Sequence, residues 1–241
     1  MHSTSMSSWW LAGLFLMLGL VCVPAGAAEV EAGLLVYRVE APGQAVSFNR
    51  LMTTQDSLRL DQGEADQGFI LFDRRERVVY SVNPEERSIL EIDPPASNLE
   101  TPADLNIELS PAKMVDAPAV GGVKPVHWQL RANGEICREA ILAPGLMPKA
   151  VAAYREYLLL LAAQQAVTLP SIPEEFQSAC DSAINVYAPD ALLEKGLPLR
   201  LWNGQGYQEV LTDFKPSASL PAEYFILPAD FQHVPMGTGS Y

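Results

Sequence analysis

Residues 69–92 read FILFDRRERVVYSVNPEERSILEI, and the punctuation of this stretch decides the fold class. Three apolar runs, 69–72, 78–82 and 88–92, are separated by Asp73-Arg74-Arg75-Glu76 and by Asn83-Pro84-Glu85-Glu86. Short runs rich in Val, Ile, Phe and Tyr, each closed by turn residues, are strands. A helix would instead repeat its apolar positions every three or four residues. The spacing therefore predicts an antiparallel meander. Upstream, 34–39, 46–52 and 56–60 carry the same signal, with a turn at Ala41-Pro42-Gly43-Gln44. Downstream, 93–120 shifts to Pro, Ala and Asp and reads as a long surface connection with one short strand near Ile107. Gly121-Gly122 marks a bend. Strands 128–132 and 135–142 flank Asn133-Gly134, whose two residues tolerate the positive φ of a type I′ hairpin turn.

Residues 148–167, PKAVAAYREYLLLLAAQQAV, break the β pattern. They are strong helix formers, with Pro148 at a first helical position and Pro170 just beyond the end. A second short helix is expected over 174–182 and a turn over 190–194. Strands resume at 197–202 and 207–214 around Asn203-Gly204-Gln205-Gly206, and a closing strand is expected over 224–227.

The first residues read as an export signal. Residues 9–23, WWLAGLFLMLGLVCV, carry no charge and are followed by small residues at Ala25, Gly26, Ala27 and Ala28. Such a stretch is short for a membrane anchor and fits a cleavable leader over 1–28. It leaves one domain over 29–241 with a helical insertion at about 148–182. The expected location is periplasmic or secreted. Cys22 falls within the leader, and the bulky Val21 before it does not suit lipidation. Cys137 and Cys180 remain, and two cysteines in an oxidising compartment pair most simply with each other. That bond is worth about 4 kcal/mol on chain-entropy grounds.

Composition narrows the function. The net charge of −13 repels nucleic acid and anionic membrane surfaces. His127 and His233 have no second ligand at metal spacing, so no metal is expected. No Gly-x-Ser-x-Gly elbow is present, and Gly204-Gln205-Gly206 lacks the third glycine of a dinucleotide loop. No catalytic constellation is visible, so the reading is non-enzymatic and without cofactor. The feature with functional content is the helix. Tyr154, Tyr157, Leu158 and Leu161 fall on one face, and Leu159 and Leu160 widen it. Lys149, Arg155 and Glu156 exclude a membrane span. Such a helix either lines an apolar cavity or packs as ordinary core against the sheet.

The order of the pieces resembles the LolA/LolB-like group of exported bacterial proteins. The resemblance rests on Leu58-Arg59-Leu60, Gly68-Phe69-Ile70-Leu71-Phe72-Asp73, the strands through Ile92, Gly196-Leu197-Pro198-Leu199-Arg200, and the closing Phe225-Ile226-Leu227-Pro228. It implies a curved antiparallel half-barrel with helices on its concave side. It also implies an apolar small molecule, a lipid or a lipid-bearing envelope protein as partner. The long insertion at 148–182 departs from the lid of a lipoprotein carrier. The leading expectation is non-catalytic binding between sheet and helix by Tyr154, Tyr157, Leu158 and Leu161. The alternative is an envelope interaction or assembly factor whose core is filled by its own helix.

Overall fold

The computed structural model describes residues 28–64, 67–93, 100–113, 117–173 and 177–236. The leader reading for 1–28 thus lies almost wholly outside the described residues. The protein is mainly β. Twelve strands among the described residues form one open, curved sheet. In chain order they are β1 (Glu29–Glu40), β2 (Ser47–Thr53), β3 (Ser57–Asp61), β4 (Phe69–Asp73), β5 (Val78–Asn83), β6 (Ser88–Ile92), β7 (Ile107–Pro111), β8 (Val126–Ala132), β9 (Glu135–Ala143), β10 (Leu197–Trp202), β11 (Gln208–Pro221) and β12 (Gln232–Pro235). Their spatial order is β12-β6-β5-β4-β3-β2-β1-β11-β10-β9-β8-β7. Two meanders therefore meet at β1, which pairs with β2 on one side and β11 on the other.

The register explains how one sheet carries two faces. Successive residues of a strand point to opposite sides, so residues in register share a side. Leu35, Leu51, Leu60, Ile70, Ser81 and Leu90 form one row, and Thr53, Leu58, Phe72, Val79 and Ile92 form the next. Both rows face α1 (Pro148–Thr168). Leu58, Phe72 and Val79 are essentially unexposed there, beside Ala150, Ala153, Tyr157 and Leu160 of the helix. Fully burying a side chain of the Leu or Phe size is worth about 1.5–3 kcal/mol. The alternate residues Met52, Arg59, Leu71, Tyr80 and Glu91 share the outer face.

Helix α1 is fixed by charge as well as burial. Arg74 Nε and Nη2 donate to the two Glu156 carboxylate oxygens at 2.7 and 2.8 Å. Arg155 donates to Asp190 at 2.9 and 2.7 Å and to Glu194 at 2.8 Å. The chain then passes through α2 (Ala179–Ser182), capped by Ser178, and a π-helical turn over Ala183–Tyr187. Residues 174–176 of the expected second helix lie outside the described residues. Leu192 closes over Ala140, Leu142 and Leu201 of the second meander.

Cys137 and Cys180 are joined by a disulfide. The β8–β9 register runs Leu130↔Arg138 and then Arg131↔Ile136, so Cys137 is the extra residue of a bulge. A bulge re-aims its side chain and breaks strict alternation. Here it turns the thiol toward the helical segment while Arg138 keeps its own inward aim.

Glycine is required at two predicted turns. Asn133 and Gly134 have φ of 49° and 86°, as a type I′ turn demands. Gly196 has φ 146°, and a Cβ there would stand 2.6 Å from the Ala143 carbonyl oxygen.

Three expectations need correction. The sheet is mixed, because β12 pairs with β6 in parallel. The closing strand expected over 224–227 is instead largely a 3₁₀ turn, Ala222–Phe225. Its backbone leaves the sheet because β11 runs on to Pro221 and hands the chain to the outer face. Strands β1 and β11 are also longer than expected, since each supplies the other's hydrogen bonds along the seam between the meanders.

Candidate functional site

The helix and the sheet do not meet everywhere. Between α1 and the row carrying Leu51, Leu60, Ile70 and Ser81 lies a cavity of about 470 Å³. Tyr154, Tyr157, Leu158 and Leu161 all border it. The structure thus brings together all four residues singled out by helical spacing. The other leucines of the run diverge. Leu160 is 1 % exposed in the core, whereas Leu159 is 44 % exposed on the far side.

The cavity lining is mixed: Tyr37, Asn49, Asp61, Gln62, Ser81 and Glu209 border it together with the apolar residues. Tyr37 donates its hydroxyl to the Pro198 carbonyl at 3.0 Å. Tyr207 donates its hydroxyl to the Glu209 carboxylate. The Tyr154 and Tyr157 rings are stacked, with centroids 6.2 Å apart. Neither of their hydroxyls has a hydrogen-bond partner among the described residues, so both are free to serve a ligand. Burial, and then the Glu209 charge, hold the Tyr154 phenol well above its ordinary pKa. Burial pushes Tyr157 up to about 12. Burial and Glu209 raise Tyr207 as well. The three phenols are therefore neutral at physiological pH and can act as hydrogen-bond donors.

A second lobe of about 110 Å³ adjoins the first and shares Tyr37, Tyr154, Leu158 and Glu209 with it. Arg138 and Tyr207 border this lobe alone. A wider groove of about 860 Å³ lies at the first turn of α1, beside Met147 and Lys149. Its arginine, Arg74, is already held by Glu156.

Sequence reasoning passed over Ser81, Glu209 and Arg138. All three had a signal. Ser81 is a polar residue at an inward position of an otherwise apolar strand, and Glu209 interrupts the inward side of β11. Arg138 had one too, since it alternates with the buried Ala140 and Leu142 along β9. The histidines lie elsewhere: His127 meets the Trp202 ring at a tilt beside Glu139, and His233 meets Glu91 and Tyr80. Among the described residues no three His, Cys, Asp or Glu side chains come together as a metal site. Among the same residues no helix is long and apolar enough to cross a membrane.

No protein-family model and no curated protein matches the sequence. Two solved structures show a distant likeness. One is titled "Structure of PNGF-II in C2 space group", with TM-score 0.43 and 11% identity over 87% of this chain and 31% of that chain. The other, "Structure of PNGF-II in P21 space group", has TM-score 0.42 and 10% identity over 86% and 32%. The chain spans about a third of the length of either structure. Likeness at this level supports no argument about fold family or activity.

Proposed function

We propose that the protein is a non-catalytic binding protein for an apolar ligand or a lipid-bearing partner, exported to the periplasm or secreted. One observation carries this reading: the cavity of about 470 Å³ bordered by Tyr154, Tyr157, Leu158 and Leu161 on one wall and by Leu51, Leu60 and Ile70 on the other. Its volume falls within the range of small-molecule sites, about 300–1,000 Å³. Each buried CH₂ contributes about 0.8 kcal/mol, so a medium acyl chain would bind usefully there. A half-barrel of LolA-like type is the finer form of this reading. The curved sheet with a helix across one face supports it, as do the sequence elements that resemble that group.

The second reading, an envelope interaction or assembly factor with a self-filled core, is favoured by one feature. The row through Leu58, Phe72 and Val79 is closed by α1, with the Phe72 and Tyr157 rings 6.2 Å apart.

Titration with a fluorescent fatty-acid probe separates the two. The wild-type protein is expected to bind the probe saturably. Leu158→Asp, at the cavity wall, is expected to keep the circular dichroism of the sheet and lose binding. Absence of saturable binding by the wild type would overturn the cavity reading and leave the self-filled one. Export is checked by intact mass, which is expected to show Ala28 or Glu29 as the first residue. Retention of Met1 would refute it.

A further inference from the structure

We infer that the polar end of the ligand is a carboxylate, received by Arg138 and the Tyr154 hydroxyl in the smaller lobe, with the apolar tail in the larger one. This rests on the binding reading above. The starting observation is an arginine without a counterion. Arg50, Arg59, Arg74 and Arg155 are half-buried, and each holds a carboxylate. Arg138 is half-buried as well, yet it has no hydrogen bond or ion pair among the described residues. Its position is set by the sheet. Arg138 stands opposite Leu130, which is 2 % exposed, so its side chain starts from a packed face. Arg138, Tyr154 and Tyr207 all border the same small lobe. A partly desolvated cation without a partner is costly, and a guanidinium offers a fork that matches a carboxylate.

The surroundings select among anions. The lobe holds only about 110 Å³, and Glu209 borders both it and the larger cavity. A dianionic phosphate would meet that carboxylate with twice the charge. A planar monoanion fits the space and leaves Glu209 to its bond from Tyr207. The unpaired Tyr154 hydroxyl lies at the wall shared by both lobes, where it can donate to the second carboxylate oxygen. The larger cavity adds the apolar Leu51, Leu60, Ile70 and Leu161. These surroundings therefore suit a monocarboxylic acid with an apolar tail.

The test compares dodecanoic acid with dodecan-1-ol, both below their micelle concentrations, by titration calorimetry and native mass spectrometry. Wild type is expected to prefer the acid by about tenfold or more, the effect of one charge-assisted contact. In Arg138→Met the preference should vanish while alcohol binding persists, which also reports an intact cavity. Arg138→Lys keeps the charge but loses the fork, and it should show an intermediate preference. Equal wild-type affinity for acid and alcohol would overturn this inference and leave the cavity reading standing. Undiminished preference for the acid in Arg138→Met would overturn it too. Binding of neither compound by the wild type would sink both.

Discussion

Asp61 shows how a single buried charge is held on the outer face. Its side chain is 2 % exposed, and the carboxylate accepts bonds from Arg50 Nε at 2.7 Å, Arg50 Nη2 at 3.0 Å and Arg59 Nε at 2.7 Å. Burial pushes this carboxyl up, but the hydrogen bonds from the two arginines outweigh burial and hold it below its ordinary value. Glu156 is also depressed, by its hydrogen bond from Arg74. Both groups have a folded pKa below the unfolded one. Their contribution is thus present above about pH 4 and lost as pH falls through the depressed folded values. Urea midpoints measured from pH 6 downward should fall below about pH 4, and more gently in Asp61→Asn. Asp61→Ala leaves Arg59, whose side chain is only 12 % exposed, without its partner. It should cost about 3–5 kcal/mol, and a change within error of zero would show that the pair contributes nothing. The same scale shows what the sequence could reveal about the site. Tyr154, Tyr157, Leu158 and Leu161 were legible because helical spacing alone puts them on one face. Arg138 shares a face with Ala140 and Leu142 on β9, but its meeting with Tyr154 and Glu209 rests on pairings between distant segments that no local pattern announces.

Helix α1 and the segment behind it form the element that makes the cavity. An apolar run of four leucines cannot all point one way. The structure divides them among core, cavity wall and surface. What holds the following segment in place is the disulfide from the Cys137 bulge to Cys180 in α2, with Ala132 and Ala183 packed beside it. Cutting that tie by Cys137→Ser with Cys180→Ser should lower stability by about 2–5 kcal/mol. Hydrogen exchange should rise first in α2 and the π-helical turn, with β1 to β6 little changed. Uniform exchange across the sheet would show that the bond does not act locally. Non-reducing peptide mapping of the wild type should find the pair linked, and two alkylatable thiols in the native protein would contradict it.

At the scale of the whole molecule the C-terminal segment straps the sheet together. It leaves β11, crosses the outer face and ends as β12 beside β6. Arg59 donates to the Tyr224 carbonyl at 2.9 Å, and its guanidinium lies 5.3 Å from the Tyr224 ring centre. Arg87 pairs with Asp230 and lies over Phe231. Met52, Leu71, Val82 and Ile89 on this face are 5 % exposed or less. A chain ending at Pro221 would lose this cover and bare the edge of β6, which invites pairing with another molecule. Size-exclusion chromatography of that truncation should show oligomers, and dye binding to apolar surface should rise. A monomer as stable as the full chain would exclude a strapping role.

The sequence by itself determined most strands of the two meanders, the helix inserted in the second and the four residues on its cavity side. Strand alternation, turn chemistry and helical spacing are local properties, readable within a few residues. Only the tertiary structure decided the seam of β1 with β11, the parallel return of β12, and the meeting of Arg138, Tyr154 and Glu209 around one lobe. Those pairings join residues far apart in the chain. They are selected by mutual burial and hydrogen bonding across the sheet, which no short stretch encodes alone.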